Sequence, residues 1–173
     1  MTELRADARR NHERVLDAAT EVFAASGPDA SIDEIARLAG VGHGTVFRRF
    51  PTKDDLMYAV IERHVGQMCT LAEEALASDD PGEAFFDFAR AAAELGMTTP
   101  GLHKCVAHCG EKPCAAELDE LGSKIVARAQ RAGTLRRDIE PSEVGSLIRA
   151  ALLAAPAGQW RLYLDVVLEG LRA

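Results

Sequence analysis

The stretch SIDEIARLAGVGHGTVFRRFPTK, Ser31 to Lys53, decides the fold. Ser31-Ile32-Asp33-Glu34 has the form of a capping box, in which the Ser31 hydroxyl accepts from the Glu34 amide and the Glu34 side chain reaches back. A helix follows to about Leu38, with Ile32, Ile35 and Ala36 facing inward. Gly40, four residues after Ala36, suits the left-handed conformation of a tight interhelical turn. Val41 is the apolar residue inside that turn. A second short helix covers about His43 to Phe50, and Val46 plugs it onto the first. Ala36 is small, as a steep helix crossing requires. This is the spacing of a helix-turn-helix, whose second helix enters the DNA major groove.

Gly42 and Gly44 fall in the first turn of that second helix, where glycine costs roughly 1 kcal/mol relative to alanine. The same end points at base edges in a helix-turn-helix, so a missing side chain lets the backbone approach DNA closely. His43 and Thr45 are then the side chains placed to reach bases. Arg48 and Arg49 lie one turn on, suited to phosphate, or to guanine if the helix tilts. Pro51-Thr52-Lys53 opens the following helix, whose free amides and Lys53 suit a phosphate. Arg5, Arg9 and Arg10 precede the first helix in this reading, as an arm toward backbone or minor groove.

The chain has 173 residues, enough for one or two domains with a real core. Its 47% apolar and 27% charged residues are ordinary for a globular protein. No apolar run approaches the roughly 20 residues that span a bilayer. MTELRADARRNHERV has no apolar signal region, so a cytoplasmic protein is expected. The net charge of -7 is unevenly held: residues 1–53 carry eight Lys/Arg against eight Asp/Glu, and the rest twelve against nineteen. Locally placed arginines still meet phosphate when the remainder is acidic.

Helical periodicity continues throughout. Val15, Ala18, Ala19, Val22 and Phe23 form one stripe, ended by Ser26-Gly27-Pro28. Leu56, Val60, Ile61, Val65, Met68, Leu71, Ala72 and Leu76 form another, broken at Asp79-Asp80-Pro81-Gly82. Further helices run from near Phe85 to Leu95, from Pro113 to about Arg131, from Pro141 to about Leu152 and from Trp160 to Leu171. An all-α fold is expected. Residues 1–53 form an N-terminal three-helix DNA-binding domain, and residues 54–173 a helical ligand-binding and dimerisation domain.

SIDEIARLAGVGHGTVFRRFPTKDDLMYAV, preceded by ERVLDAATEVFAASG, resembles the DNA-binding region of the TetR family of transcriptional regulators. AGTLRRDIEPSEVGSLIRAAL and WRLYLDVVLEGLRA resemble C-terminal regions found in part of that family. The resemblance implies a homodimer on double-stranded DNA, and repression relieved by a small ligand in the C-terminal domain. It implies DNA contacts at Ser31, His43, Gly44, Thr45, Phe47, Arg48 and Lys53. Phe47 stands where a tyrosine is usual, so a hydroxyl that would bond phosphate is absent.

Two apolar helices end the chain. They suit a four-helix interface between two copies, or packing within one subunit. Met68, Phe85, Phe88, Met97 and Trp160 suit a cavity for an apolar molecule, or plain core. HKCVAHCGEKPC gathers His103, Cys105, His108, Cys109 and Cys114. Thiolate and imidazole donors suit zinc or copper, and paired thiols suit redox sensing. The spacing matches no standard zinc module, and small core thiols with surface histidines are the plainer reading. No nucleophile elbow, phosphate loop or metalloprotease helix occurs, so no enzyme and no cofactor is expected.

Overall fold

The computed structural model describes residues 2–99, 101–102, 105, 113–156 and 158–173, without the side chains of 2–6, 8 and 113–115. Among the described residues, Gly101, Leu102 and Cys105 are helical, and eight further α-helices and a 3-10 turn have defined bounds. They are α1 (Thr2–Ser26), the 3-10 turn (Gly27–Asp29), α2 (Ile32–Ala39), α3 (His43–Arg49) and α4 (Lys53–Ala77). After these come α5 (Pro81–Met97), α6 (Pro113–Ala132), α7 (Pro141–Ala154) and α8 (Trp160–Gly170). The extended pairing among these residues is one isolated bridge, Leu135 to Arg172. No helix among them is long and apolar enough to cross a membrane.

Two compact units divide the chain, Met1–His64 with Thr99–Glu111 and Val65–Thr98 with Lys112–Ala173, so the division falls within α4. In the first unit the α1 stripe Val15, Leu16, Ala18, Ala19, Val22 and Phe23 is buried. Ile35, Ala36 and Ala39 of α2, Val46 of α3 and Leu56, Met57, Val60 and Ile61 of α4 are buried as well. Arg63 clamps α4 to α1: its guanidinium donates to Asp17 Oδ1 at 2.7 Å, to the Leu16 carbonyl at 3.0 Å and to the Thr20 hydroxyl. Gly101 packs so tightly on the end of α1 that a Cβ there would overlap the carbonyl oxygens of Phe23 and Ala24.

α1 begins at Thr2, so Arg9 and Arg10 are helical and do not form an arm ahead of the helix. The reason is compositional: between Thr2 and Ser26 there is neither glycine nor proline to stop a helix once it is nucleated.

In the second unit, Pro81 occupies the first turn of α5, and Asp80 Oδ1 accepts from the amides of Gly82 and Glu83 at 3.0 and 3.1 Å. Phe85, Phe86, Ile125, Val126, Val144, Trp160, Leu164 and Leu168 build its core. Arg128 of α6 closes the end of α4, donating to the carbonyls of Ala75, Leu76 and Ser78. A cation at that end also meets the negative pole of the helix dipole.

Candidate nucleic-acid interface

The turn between α2 and α3 has the conformation its sequence demands. Gly40 is left-handed at φ 62° and ψ 38°, and the Val41 amide donates back to the Ala36 carbonyl at 3.0 Å. Val46 is 1% exposed and locks α3 down on α2. The opposite side of α3 is open: His43, Gly44, Phe47, Arg48 and Arg49 are exposed, and Thr45 is half-buried. Gly42 is not inside the helix but is its N-cap, in extended conformation. Gly44 has open space where a Cβ would sit: among the described residues, nothing beyond its chain neighbours and own helix backbone lies within 4 Å. Its lack of a side chain is therefore not a packing requirement of the protein itself.

His43 is held on two sides. Its Nδ1 bonds the Asp33 carboxylate on α2, and its ring stacks on Phe47 at 4.7 Å. Arg49 Nε donates to Nδ1 of His12 on α1 at 3.3 Å. The His12 ring in turn stacks on Phe50, 5.4 Å away and inclined by 21°. Asn11, His12, Val15, Thr45, Arg48, Arg49 and Phe50 surround a cleft of about 280 Å³ between α1 and α3.

Ser31 is the N-cap of α2, but its hydroxyl makes no capping bond, so the expected capping box is incomplete. The hydroxyl is solvent-exposed, where water satisfies it as well as an amide does. At the start of α4, Thr52 Oγ1 accepts from the Asp55 amide at 3.1 Å, while Asp55 accepts from the Thr52 amide and hydroxyl at 3.0 and 2.7 Å. One first-turn amide expected to be free is thus already occupied. Lys53 is half-buried beside it. On α1, Arg9 and Arg10 are exposed, and Arg10 pairs with Asp7.

Ser31, His43, Gly44, Thr45, Phe47, Arg48, Arg49 and Lys53 therefore fall on α2, α3 and the start of α4 within one compact unit. His12 and Asp33 are additions to the sequence-based set. The register did carry a signal for His12, which stands three and seven residues ahead of the buried Val15 and Ala19 and so lies on the inward face of α1. No local signal links Asp33 to His43, because only the Gly40 turn brings them together.

In the second unit, Phe85 and Trp160 are buried in the core, and Phe88 and Met97 are partly buried against it. Met68 is half-buried, its Cε 3.5 Å from where a Cβ on Gly96 would be. His103, His108 and Cys109 lie outside the described residues, as does the side chain of Cys114; Cys105 is buried. Among the described residues no group of three or more His, Cys, Asp or Glu is placed to hold a metal ion.

Known proteins share both parts of this chain. Residues 15–60 match the domain of bacterial regulatory proteins of the tetR family, and residues 80–173 match the C-terminal domain of SbtR-like transcriptional regulators. A TetR transcription regulatory protein from Mycobacterium vanbaalenii is 38% identical, with 98% of this chain and 99% of that one covered and a TM-score of 0.75. The uncharacterized HTH-type transcriptional regulator TtgW of Pseudomonas putida is 47% identical over 57 residues, 32% of this chain and 42% of its own length. An HTH-type transcriptional repressor of Mycobacterium tuberculosis is 51% identical over 57 residues, 32% of this chain and 30% of its own length. The chain thus spans less than half of either curated relative.

Proposed function

Because the chain belongs to the TetR family of bacterial transcriptional regulators, we propose that it is a repressor that binds a palindromic operator as a homodimer and is released by a small apolar molecule. The observation that carries this reading is the two-sidedness of α3. Val46 is sunk into the protein, while His43, Gly44, Phe47, Arg48 and Arg49 are presented outward. His43 and Thr45 read base edges. Arg48, Arg49, Lys53 and Ser31 hold phosphates, with Arg9 and Arg10 of α1 as further backbone contacts. Such a regulator works where the chromosome is, in the cytoplasm.

The dimer is supported by α7 and α8. Leu147, Leu153, Leu162 and Val166 are 45%, 70%, 59% and 65% exposed there. Large aliphatic side chains left open on two neighbouring helices suit burial against a second copy. Two recognition helices then share a palindrome, which gives the base contacts that one helix lacks. The effector is assigned to the second unit, among Met68, Phe85, Phe88, Met97 and Trp160. It enters by displacing the partly buried Phe88 and Met97, and it must favour the conformation that does not bind DNA.

Selection of bound sequences from random duplex DNA tests the reading. A palindrome is expected. With roughly 6–10 phosphate contacts, affinity should fall about a thousandfold or more between 50 and 200 mM salt. A monomer that selects no palindrome would refute it.

A further inference from the structure

We propose that His12 is a positioning residue for operator recognition, which holds the Arg49 side chain in the orientation that meets DNA; this rests on the DNA-binding reading above. Phe50, the platform beneath the imidazole, is itself 7% exposed and fixed in the core. The ring lies nearly parallel to it, inclined by 21° at 5.4 Å. From that platform Nδ1 faces Arg49 Nε at 3.3 Å. A guanidinium has no acceptor, so Arg49 donates and His12 accepts, which requires the neutral imidazole with its proton on Nε2.

The bond occupies Nε of Arg49 and leaves the terminal Nη1 and Nη2 groups for a two-pronged contact with a phosphate or a guanine edge. An exposed arginine otherwise loses much rotamer freedom when it docks. Having it ordered beforehand is worth about two- to tenfold in affinity. Arg48 also lines the cleft between α1 and α3, but the arginine that donates to His12 is Arg49. The two adjacent arginines are thus unequal: one is held in place before DNA arrives.

The test is operator affinity of the full chain with His12→Ala, His12→Asn, His12→Leu, Arg49→Ala and the double variant His12→Ala/Arg49→Ala. His12→Ala should weaken binding about two- to tenfold. Asparagine places Oδ1 near the position of Nδ1 and should restore most of the loss. Leucine keeps the apolar cover on Phe50 without the acceptor, so it should bind as weakly as alanine even if alanine loosens the fold. The double variant should bind no more weakly than Arg49→Ala alone. A His12→Ala effect undiminished in the Arg49→Ala background overturns the proposal, as does an asparagine variant no better than leucine. A parent chain that selects no DNA sequence removes the functional reading and this proposal together; a parent that binds, with no effect of His12, removes only this one.

Discussion

The Asp33 carboxylate on α2 accepts a hydrogen bond from Nδ1 of His43 on α3, ten residues along the chain. An ionised carboxylate only accepts, so Nδ1 carries a proton and Nε2 is the nitrogen left for a base. In the neutral ring Nε2 is an acceptor, which suits the exocyclic amine of adenine or cytosine in the major groove. Phe47, stacked 4.7 Å from the imidazole, fixes its plane.

Asp33→Ala should therefore loosen base choice and not abolish binding. Discrimination at the position His43 reads should fall by roughly 1–3 kcal/mol, the worth of one good base contact. Affinity for random duplex should rise, because a negative charge leaves a surface that approaches phosphates. Binding to operator variants changed one base pair at a time measures both. An unchanged preference at every position sinks the assignment.

Gly44→Ala separates folding from recognition. Gly44 is inside α3 without positive φ, and among the described residues nothing beyond its chain neighbours and own helix backbone lies within 4 Å of the place a methyl group would take. Alanine should raise stability by roughly 0.5–1 kcal/mol through helix propensity. Operator binding should nevertheless weaken, since the methyl group intervenes between backbone and DNA. A denaturation curve and a binding isotherm on the same sample decide it. A stabilised variant with undiminished affinity would show that the glycine does not mark a close approach.

The helix-turn-helix was legible because its constraints are local. Gly40, Val46 and Ser31 stand at fixed offsets, and backbone geometry alone turns those offsets into a structure. Helix starts at Pro113 and Pro141 were legible for the same reason, whereas Pro81, expected only to break α4, opens α5. The N-terminal extent of α1 was not, because its first turns lack the apolar stripe that marks the rest of the helix. His43 with Asp33, and Arg49 with His12, were also hidden. Each pair depends on how separate helices are brought together, which no single periodicity records.

Leu153→Glu combined with Val166→Glu should yield a monomer. Both side chains are more than half exposed, at 70% and 65%, so neither substitution disturbs the core of its own subunit. Across a dimer interface, however, each charge would be buried without a partner, at a cost of several kcal/mol. Sedimentation or light scattering should show the halved mass with helicity retained. A dimer that persists would place the interface elsewhere.

Asp138 gives an acid-sensitive link near the C-terminus. Its carboxylate accepts from Arg136 Nε and Nη2 at 2.7 and 2.6 Å, and these bonds hold its pKa down from 3.8 to about 2. A group depressed on folding stabilises in full above its unfolded value and loses that contribution as pH falls through the folded one. Asp138→Asn should therefore lower the denaturation midpoint at pH 6, with the gap to the parent narrowing between pH 3.8 and 2. A gap that is constant across this range would exclude the ion pair as its source.

The cysteines are expected to be silent in induction. Cys105 is 0% exposed and belongs to the same compact unit as the DNA-binding helices. A thiol out of solvent contact reacts slowly with oxidants and meets a hydrated metal ion only if the protein opens. Replacing Cys105 by alanine and both Cys109 and Cys114 by serine should cost stability, about 1 kcal/mol or somewhat more from the buried site. It should leave operator binding, and its insensitivity to zinc, copper and peroxide, as in the parent. Release can be followed by fluorescence anisotropy of labelled operator during titration with each agent. If the parent leaves the DNA and the triple variant stays, the segment from His103 to Cys114 is the sensor, and the proposed apolar effector is wrong. If both stay bound, the signal must come from a molecule that binds elsewhere, and the half-buried Phe88 and Met97 are the first positions to substitute in an effector screen.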